Sequence, residues 1–383
     1  MDTRSISLNL EPIEKRKIIL LATSTIYNDT IFANGLFQNV FIIYKMLDSM
    51  GYTPIFLINE KPSDIQKIPE ILRHVRMIHI EEIMRISVPI SLIIEIAMSI
   101  EPNIRNTFRL IGAKIVKLYL GNILNIDIET PMFYPSVNFS HHLSGEIDEI
   151  WTSPHYKQHL EYASLINEMD GPTKIAPYVW HPCILTHDGN RSFKWKPPGP
   201  NDPLTIVILE PNISFQKCSL IPLLIAEEYY RKTKQDIRVI VGNGDKFTLN
   251  PFFTKTILPT LQLYKDNKLT LTGRLTIMYI METYPSAFAI CHQWNNQYNY
   301  MTMEYLHAMF PLIHNAPDWS DAGYYYKDSD IKSGLLALEQ SIKIHSTSLE
   351  RYAACTASLH WRHSPYNPDV QRVWKELVEP SNG

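Results

Sequence analysis

Residues 17–58 read KIILLATSTIYNDTIFANGLFQNVFIIYKMLDSMGYTPIFLI, and their pattern decides the fold. Lys17 to Thr23 is a short, nearly continuous apolar run, as expected of a strand buried on both faces. Thr25 to Gly35 is polar and carries Asn28, Asp29, Asn34 and Gly35. Leu36, Val40, Ile43, Leu47 and Met50 then recur at spacings of three and four, which predicts a helix closed by Gly51. Pro54 to Ile58 is a second apolar strand. Strand, loop, helix, glycine, strand is a βαβ unit and requires a parallel pair.

The alternation continues outward from this unit. Val75 to Ile80, Leu92 to Ile96, Lys114 to Leu120 and Glu149 to Thr152 read as strands, and Asn103 to Ile111 as a helix. Ser153 and Pro154 are an N-cap and a first-turn proline, followed by an expected helix from His155 to about Asn167. Asp188 to Pro203 carries four prolines and two glycines without hydrophobic periodicity, which predicts a linker or long loop. Beyond it, strands are expected at Leu204–Leu209, Ile237–Val241, Leu269–Thr272, Ala287–Cys291 and Pro311–His314. Helices are expected at 220–232, 251–264, 277–283, 300–309 and 331–345. The fold class is therefore α/β, with two Rossmann-like domains facing a cleft: 1–190 and 200–363. Residues 364–383 end in an amphipathic helix of Val370, Val373, Trp374, Leu377 and Val378.

The chain has 383 residues, 36 of them basic and 39 acidic, for a net charge of −3 with histidines neutral. That balance argues against a surface devoted to nucleic acid. Cys183, Cys218, Cys291 and Cys355 stand alone, with no pair spaced for zinc or redox chemistry. Isolated thiols suit a reducing compartment, and the first residues are too polar for a secretory signal. The most apolar stretch, 86–100, is broken by Pro89 and Glu95 and falls short of a membrane span. A cytoplasmic protein without a transmembrane segment is expected.

The richest polar stretch is Cys291 to Asn315, CHQWNNQYNYMTMEYLHAMFPLIHN. A strand ending at Cys291 opens into a loop of His292, Gln293, Asn295, Asn296, Gln297 and Asn299, and a helix begins near Tyr300. Such a loop offers free N–H groups and the positive end of a helix dipole, which suits a phosphate. Glu304, one turn into the helix, is placed to accept from the hydroxyls of a ribose. The same residues also read as ordinary helix chemistry, with Asn and Thr capping the first turn.

This stretch resembles the nucleotide-sugar motif of GT-B glycosyltransferases, in particular the large family-four-like group with its E-x7-E pattern. Glu304, Ala308, Pro311 and Leu312-Ile313 match the second half of that motif, while Asn296 stands where the first glutamate belongs. The resemblance extends over the C-terminal half. Lys217 falls where the group has a lysine meeting the donor diphosphate, with Cys218 in place of the usual glycine and no arginine upstream. Gly242-Asn243-Gly244 resembles its glycine-rich turn, and Gly273-Arg274 stands at a loop of base contacts. A divergent bacterial or viral branch of the superfamily is the closer likeness.

The resemblance implies a transfer of a sugar from a nucleoside-diphosphate sugar to a glycan or other acceptor in the cleft, with the diphosphate sugar as co-substrate and no metal. It places Lys217, Gly242, Asn243, Arg274, Asn296, Gln297, Asn299, Tyr300 and Glu304 at the donor. Asn34-Gly35 would face the cleft from the first domain or simply cap a helix. His141 and His142 are candidates for a sugar contact or proton shuttle. The last helix is expected to cross back onto the first domain or to finish the second domain's core. A sugar epimerase and a protein that binds nucleotide sugar or glycan without turnover stand as alternatives.

Overall fold

The computed structural model describes residues 17–32, 35–83, 85, 89–134, 147–186 and 193–379. The chain divides into two compact units. The first holds residues 1–124, 134–179 and 365–383, and the second holds 125–133 and 180–364.

The first unit is a parallel sheet of seven strands: β1 (Ile18–Thr23), β2 (Thr53–Ile58), β3 (Met77–His79), β4 (Ile90–Ala97), β5 (Lys114–Tyr119), β6 (Glu149–Thr152) and β7 (Lys174–Ile175). Their order is β3-β2-β1-β4-β5-β6-β7, with Leu20 opposite Ile55 on one side and Ile93 on the other. Every residue of β1 and β2 is buried, which is why these strands read as unbroken apolar runs. The helix Gly35–Ser49 joins them, and Gly51 follows at φ 88°, the left-handed closure its position predicted. Glu95, which interrupts the most apolar stretch, is buried in β4 and paired with Arg105 at 2.8 Å. Among the described residues, no helix is long and apolar enough to cross a membrane.

The C-terminal helix Pro368–Val378 belongs to the first unit. Trp374 is its anchor: the ring is 1% exposed, meets Trp151 edge-on at 5.9 Å, and donates from Nε1 to Pro177 O at 3.1 Å.

The second unit repeats the plan with β8 (Leu204–Ile208), β9 (Ile237–Val241), β10 (Leu269–Leu271), β11 (Phe288–Ile290), β12 (Leu312–His314) and β13 (Tyr324–Tyr325), in the order β10-β9-β8-β11-β12-β13. All pairings are parallel. The helices Leu220–Thr233 and Ile331–Ile344 pack closely because Gly334 leaves room for Ile225. A Cβ at 334 would run into the Ile225 side chain, so Gly334→Ala should destabilise by about 1–3 kcal/mol through overpacking. Ile225→Val in the same chain should recover part of the loss. A melting temperature unchanged by the single substitution would show that the helices can part at no cost.

Two expectations from the sequence need correction here. The continuous helix expected over 251–264 is broken, because Pro259 and the extended Leu261 (ψ 125°) divide it into a wide turn, a tight turn and the short helix Gln262–Lys265. The helix expected from His155 begins as a tight 3-10 segment, Pro154–His159, and becomes regular only over Leu160–Ile166. The proline-rich stretch, described from Phe193 onward, is also more than a linker. Trp195 is buried in the second unit against Phe288 and His345.

Candidate functional site

In the second sheet, β8 and β11 are neighbours, and the chain leaves them toward opposite edges. The carboxyl ends of such a pair diverge into a crevice, the usual ligand position of open α/β sheets. Glu210, two residues beyond β8, fills the base of this crevice and is fully buried. One of its oxygens accepts from the His292 backbone N–H at 3.0 Å, and the other from Gln293 Nε2 at 2.7 Å. One buried carboxylate therefore ties the two diverging loops together.

The network continues from Gln293. Its Oε1 accepts from Asn296 Nδ2 at 2.9 Å, its backbone N–H donates to Asn315 Oδ1 at 2.8 Å, and its carbonyl accepts from Asn315 Nδ2 at 2.9 Å. On the other flank, Asn243 Nδ2 donates to the Glu210 carbonyl at 3.4 Å. Asn212, Asn243 and Asn295 all turn their loops at φ near 50°, a conformation asparagine tolerates better than most residues. At Gly244 even asparagine would fail, since a Cβ there would lie 2.9 Å from the Val241 carbonyl.

The loop carrying Lys217 is built by its own side chains. Asn212 Oδ1 accepts from Ser219 N–H, and its backbone N–H donates to the Lys217 carbonyl. Ser214 caps the tight turn Phe215–Lys217 and donates to Glu129 Oε1, which also accepts from Phe215 N–H. Phe215 and Trp294 stand edge to face at 6.3 Å, both partly exposed where these loops emerge.

Burial pushes the Glu210 carboxyl up to about 7, against the pull of the His292 N–H, Lys217 and Gln293. Burial pushes the Lys217 ammonium down, and Glu210 opposes that shift. His292 is held at about 4 by burial and is neutral at pH 7. Its Nδ1 lies 2.8 Å from the Tyr326 hydroxyl, which donates to the Cys291 carbonyl at 3.1 Å. His292 Nδ1 is then the donor in its pair with Tyr326, and Nε2 is left to accept from Ser329 at 3.3 Å.

Of the residues singled out in the sequence, Lys217, Asn243 and Asn296 meet around Glu210 and Gln293. Gly242 extends the sheet, donating its N–H to the Ile208 carbonyl. Arg274 is exposed on the loop after β10, and the neighbouring Gly273 carbonyl accepts from Asn243 N–H. Tyr300 and Glu304 are buried on the helix Tyr300–His307. Two side chains serve the scaffold instead. Asn299 Oδ1 caps that helix by accepting from Met301 N–H, and Gln297 Nε2 donates to Asp318 at 3.0 Å. Gly35 opens the first unit's helix Gly35–Ser49. Asn34, His141 and His142 lie outside the described residues.

Glu210 and Gln293 were not among the expected site residues. A signal existed for Glu210, an acid directly after an unbroken apolar strand at the end where α/β folds bind ligands. Among the described residues, no group of three or more His, Cys, Asp or Glu side chains is placed to hold a metal.

The family described as Protein of unknown function (DUF2827) matches residues 21–378. The chain belongs to this family. No curated protein matches the DUF2827 chain in sequence. Solved structures match it throughout. Sucrose-phosphate synthase from Thermosynechococcus elongatus aligns with a TM-score of 0.57 at 12% identity, over 96% of this chain and 100% of the other. A structure described as trehalose-6-phosphate from E. coli bound with UDP-2-fluoro glucose aligns at 0.57 and 10%, over 95% and 99%. Anabaena Alr3699/HepE in complex with UDP and glucose aligns at 0.53 and 9%, over 95% and 99%. At these identities the likeness is one of fold: the DUF2827 chain has the two-sheet α/β architecture of GT-B glycosyltransferases.

Proposed function

We propose that the protein is a glycosyltransferase that binds a nucleoside-diphosphate sugar at the carboxyl ends of its second sheet and passes the sugar to a glycan or other acceptor. The observation that carries this reading is the buried network of Glu210, Gln293 and Asn296, with Lys217 beside it, at the divergence of β8 and β11. A built polar floor there suits a ligand combining a charged diphosphate with hydroxyl-rich sugars. The UDP, glucose and UDP-2-fluoro glucose named for the similar structures support the same donor class.

A departing nucleoside diphosphate needs positive charge and N–H donors where its negative charge grows. Lys217 supplies the charge, and the N-terminus of the helix Tyr300–His307 supplies the donors. Glu304 takes the ribose. Arg274, exposed on the adjoining loop, takes the base or the outer phosphate.

If Glu304 grips the ribose, Glu304→Gln should weaken nucleotide affinity by about 1–3 kcal/mol, the usual cost of losing a charged hydrogen-bond partner. Calorimetric titration with UDP measures it, and an unchanged affinity would remove Glu304 from the site. One observation favours a second reading, a protein that binds nucleotide sugar without turnover: Asn296 stands in place of the first motif glutamate. Incubation with UDP-, GDP- and ADP-sugars and an acceptor library decides between the two. Sustained release of nucleoside diphosphate supports the transferase, and tight binding without release supports the binder.

A further inference from the structure

We propose that Phe215 and Trp294 form the seat of the donor's hexose: the two rings take the apolar face of a neutral pyranose while the diphosphate lies in the adjoining crevice. This rests on the reading that a nucleoside-diphosphate sugar occupies the carboxyl ends of the second sheet.

The two rings stand on the two loops that frame the crevice. Phe215 follows β8 on the loop that carries Lys217, and Trp294 follows β11 directly after Gln293. Their centroids are 6.3 Å apart at 83°, and the residues are 45% and 51% exposed. Ile213, on the same loop as Phe215, is 57% exposed. A single exposed ring needs no explanation, but apolar side chains grouped beside a buried polar network mark a binding surface.

The backbone beneath both rings is fixed. Trp294 N–H donates to the Gln216 carbonyl at 2.9 Å, which ties one loop to the other. Phe215 N–H and Ser214 Oγ both donate at 2.9 Å to Oε1 of the buried Glu129. Gln293, the residue before Trp294, is held by Glu210 and by Asn315. A ligand therefore meets loops that are already ordered, which spares it much of the entropic cost of binding.

With the ribose on Glu304, the base or outer phosphate on Arg274 and the diphosphate charge on Lys217, the hexose is the part of the donor still without a seat. A pyranose carries C–H groups on the faces of its ring and hydroxyls around its rim. An aromatic ring suits the face, and amides suit the rim. Trp294 stands in sequence between Gln293 and the pair Asn295 and Asn296, so one loop supplies both. That loop, 291–299, reads CHQWNNQYN and has no acidic or basic side chain besides His292, which is neutral at pH 7. A uronate would find no counter-charge on it, with Lys217 engaged by the diphosphate, so a neutral hexose is the class selected.

The test is calorimetric titration of the full chain and of Trp294→Ala with a glucose nucleotide and with the same nucleoside diphosphate lacking the sugar. The UDP, GDP or ADP pair that binds the wild type best is used. Trp294→Ala is expected to weaken the glucose nucleotide about tenfold, the scale of one aromatic contact, and to leave the bare diphosphate within about twofold. Trp294→Phe, which keeps a ring, should recover most of the loss. Equal loss with both probes overturns the proposal and gives the ring to the base or the phosphates; no loss with either overturns it too. Tighter wild-type binding of the matching glucuronate than of the glucose nucleotide overturns the neutral class. A dimer lost on Trp294→Ala in sedimentation, with the preference for the sugar intact, overturns the proposal by giving the rings to a second copy of the chain. Should Trp294→Ala fail to fold, Phe215→Ala carries the same comparison. If the wild type binds none of these nucleotides, the donor-site reading fails and this proposal with it, whereas nucleotide binding that Trp294→Ala leaves equally sugar-dependent defeats this proposal alone.

Discussion

Lys217→Ala is expected to lower turnover about 10²–10³-fold, the scale of losing one preorganised group that stabilises developing charge. If the proposed transfer is the reaction, the loss should fall on kcat more than on KM, because the donor diphosphate would gain negative charge as the bond to the sugar breaks. Folding should suffer much less. Losing the ammonium removes one of the influences that hold the Glu210 carboxyl down, and burial, which already pushes it up to about 7, then leaves it neutral instead of stranding a charge. Steady-state kinetics with the best donor, alongside thermal melting, separates the two effects. Wild-type turnover in this variant would mean that another group carries the leaving charge.

The second large effect concerns stability. Trp374→Ala should cost about 3–5 kcal/mol, the range for truncating a buried aromatic side chain, because it empties the space against Trp151 and leaves the Pro177 carbonyl without its indole donor. For a unit of this size, that corresponds to a drop of roughly 6–20 °C in its melting transition. Trp374→Phe, which keeps the ring but not the N–H, should lose considerably less. Differential scanning calorimetry resolves the two units if they melt separately, and the shift should fall on the transition of the first. Melting unchanged by Trp374→Ala would show that the last helix is an ornament on that unit.

Much of this architecture was legible because it depends on local pattern. The unbroken apolar runs at 18–23 and 53–58, the helical spacing between them and Gly51 after the helix each follow from the chemistry of neighbouring residues. The polar loop after β11 was legible for the same reason, an apolar strand ending abruptly in amides. What escaped notice is long-range. Glu210 and Gln293 are 83 positions apart, and only the sheet order places β8 beside β11. No periodicity in either segment records that adjacency. Asn299 shows the reverse case: its position suggested a ligand contact, yet the helix N-terminus claims its side chain. The broken segment 251–264 was misread because its apolar spacing outweighed Pro259.

The placement of Pro368–Val378 in the first unit has a consequence for how the protein comes to exist. A ribosome delivers residues 180–364, the bulk of the second unit, between the body of the first unit and the helix that completes it. At common elongation rates that interval lasts roughly 10–40 s. Throughout it, the nascent first sheet must wait with the Trp151 face uncovered while a later-made unit acquires nearly all of its chain. The order of completion thus inverts the order of synthesis. A chain stalled before Pro368 would carry a finished second unit and, on the first, an uncovered apolar surface that invites chaperones, so folding itself inspects whether translation reached this helix.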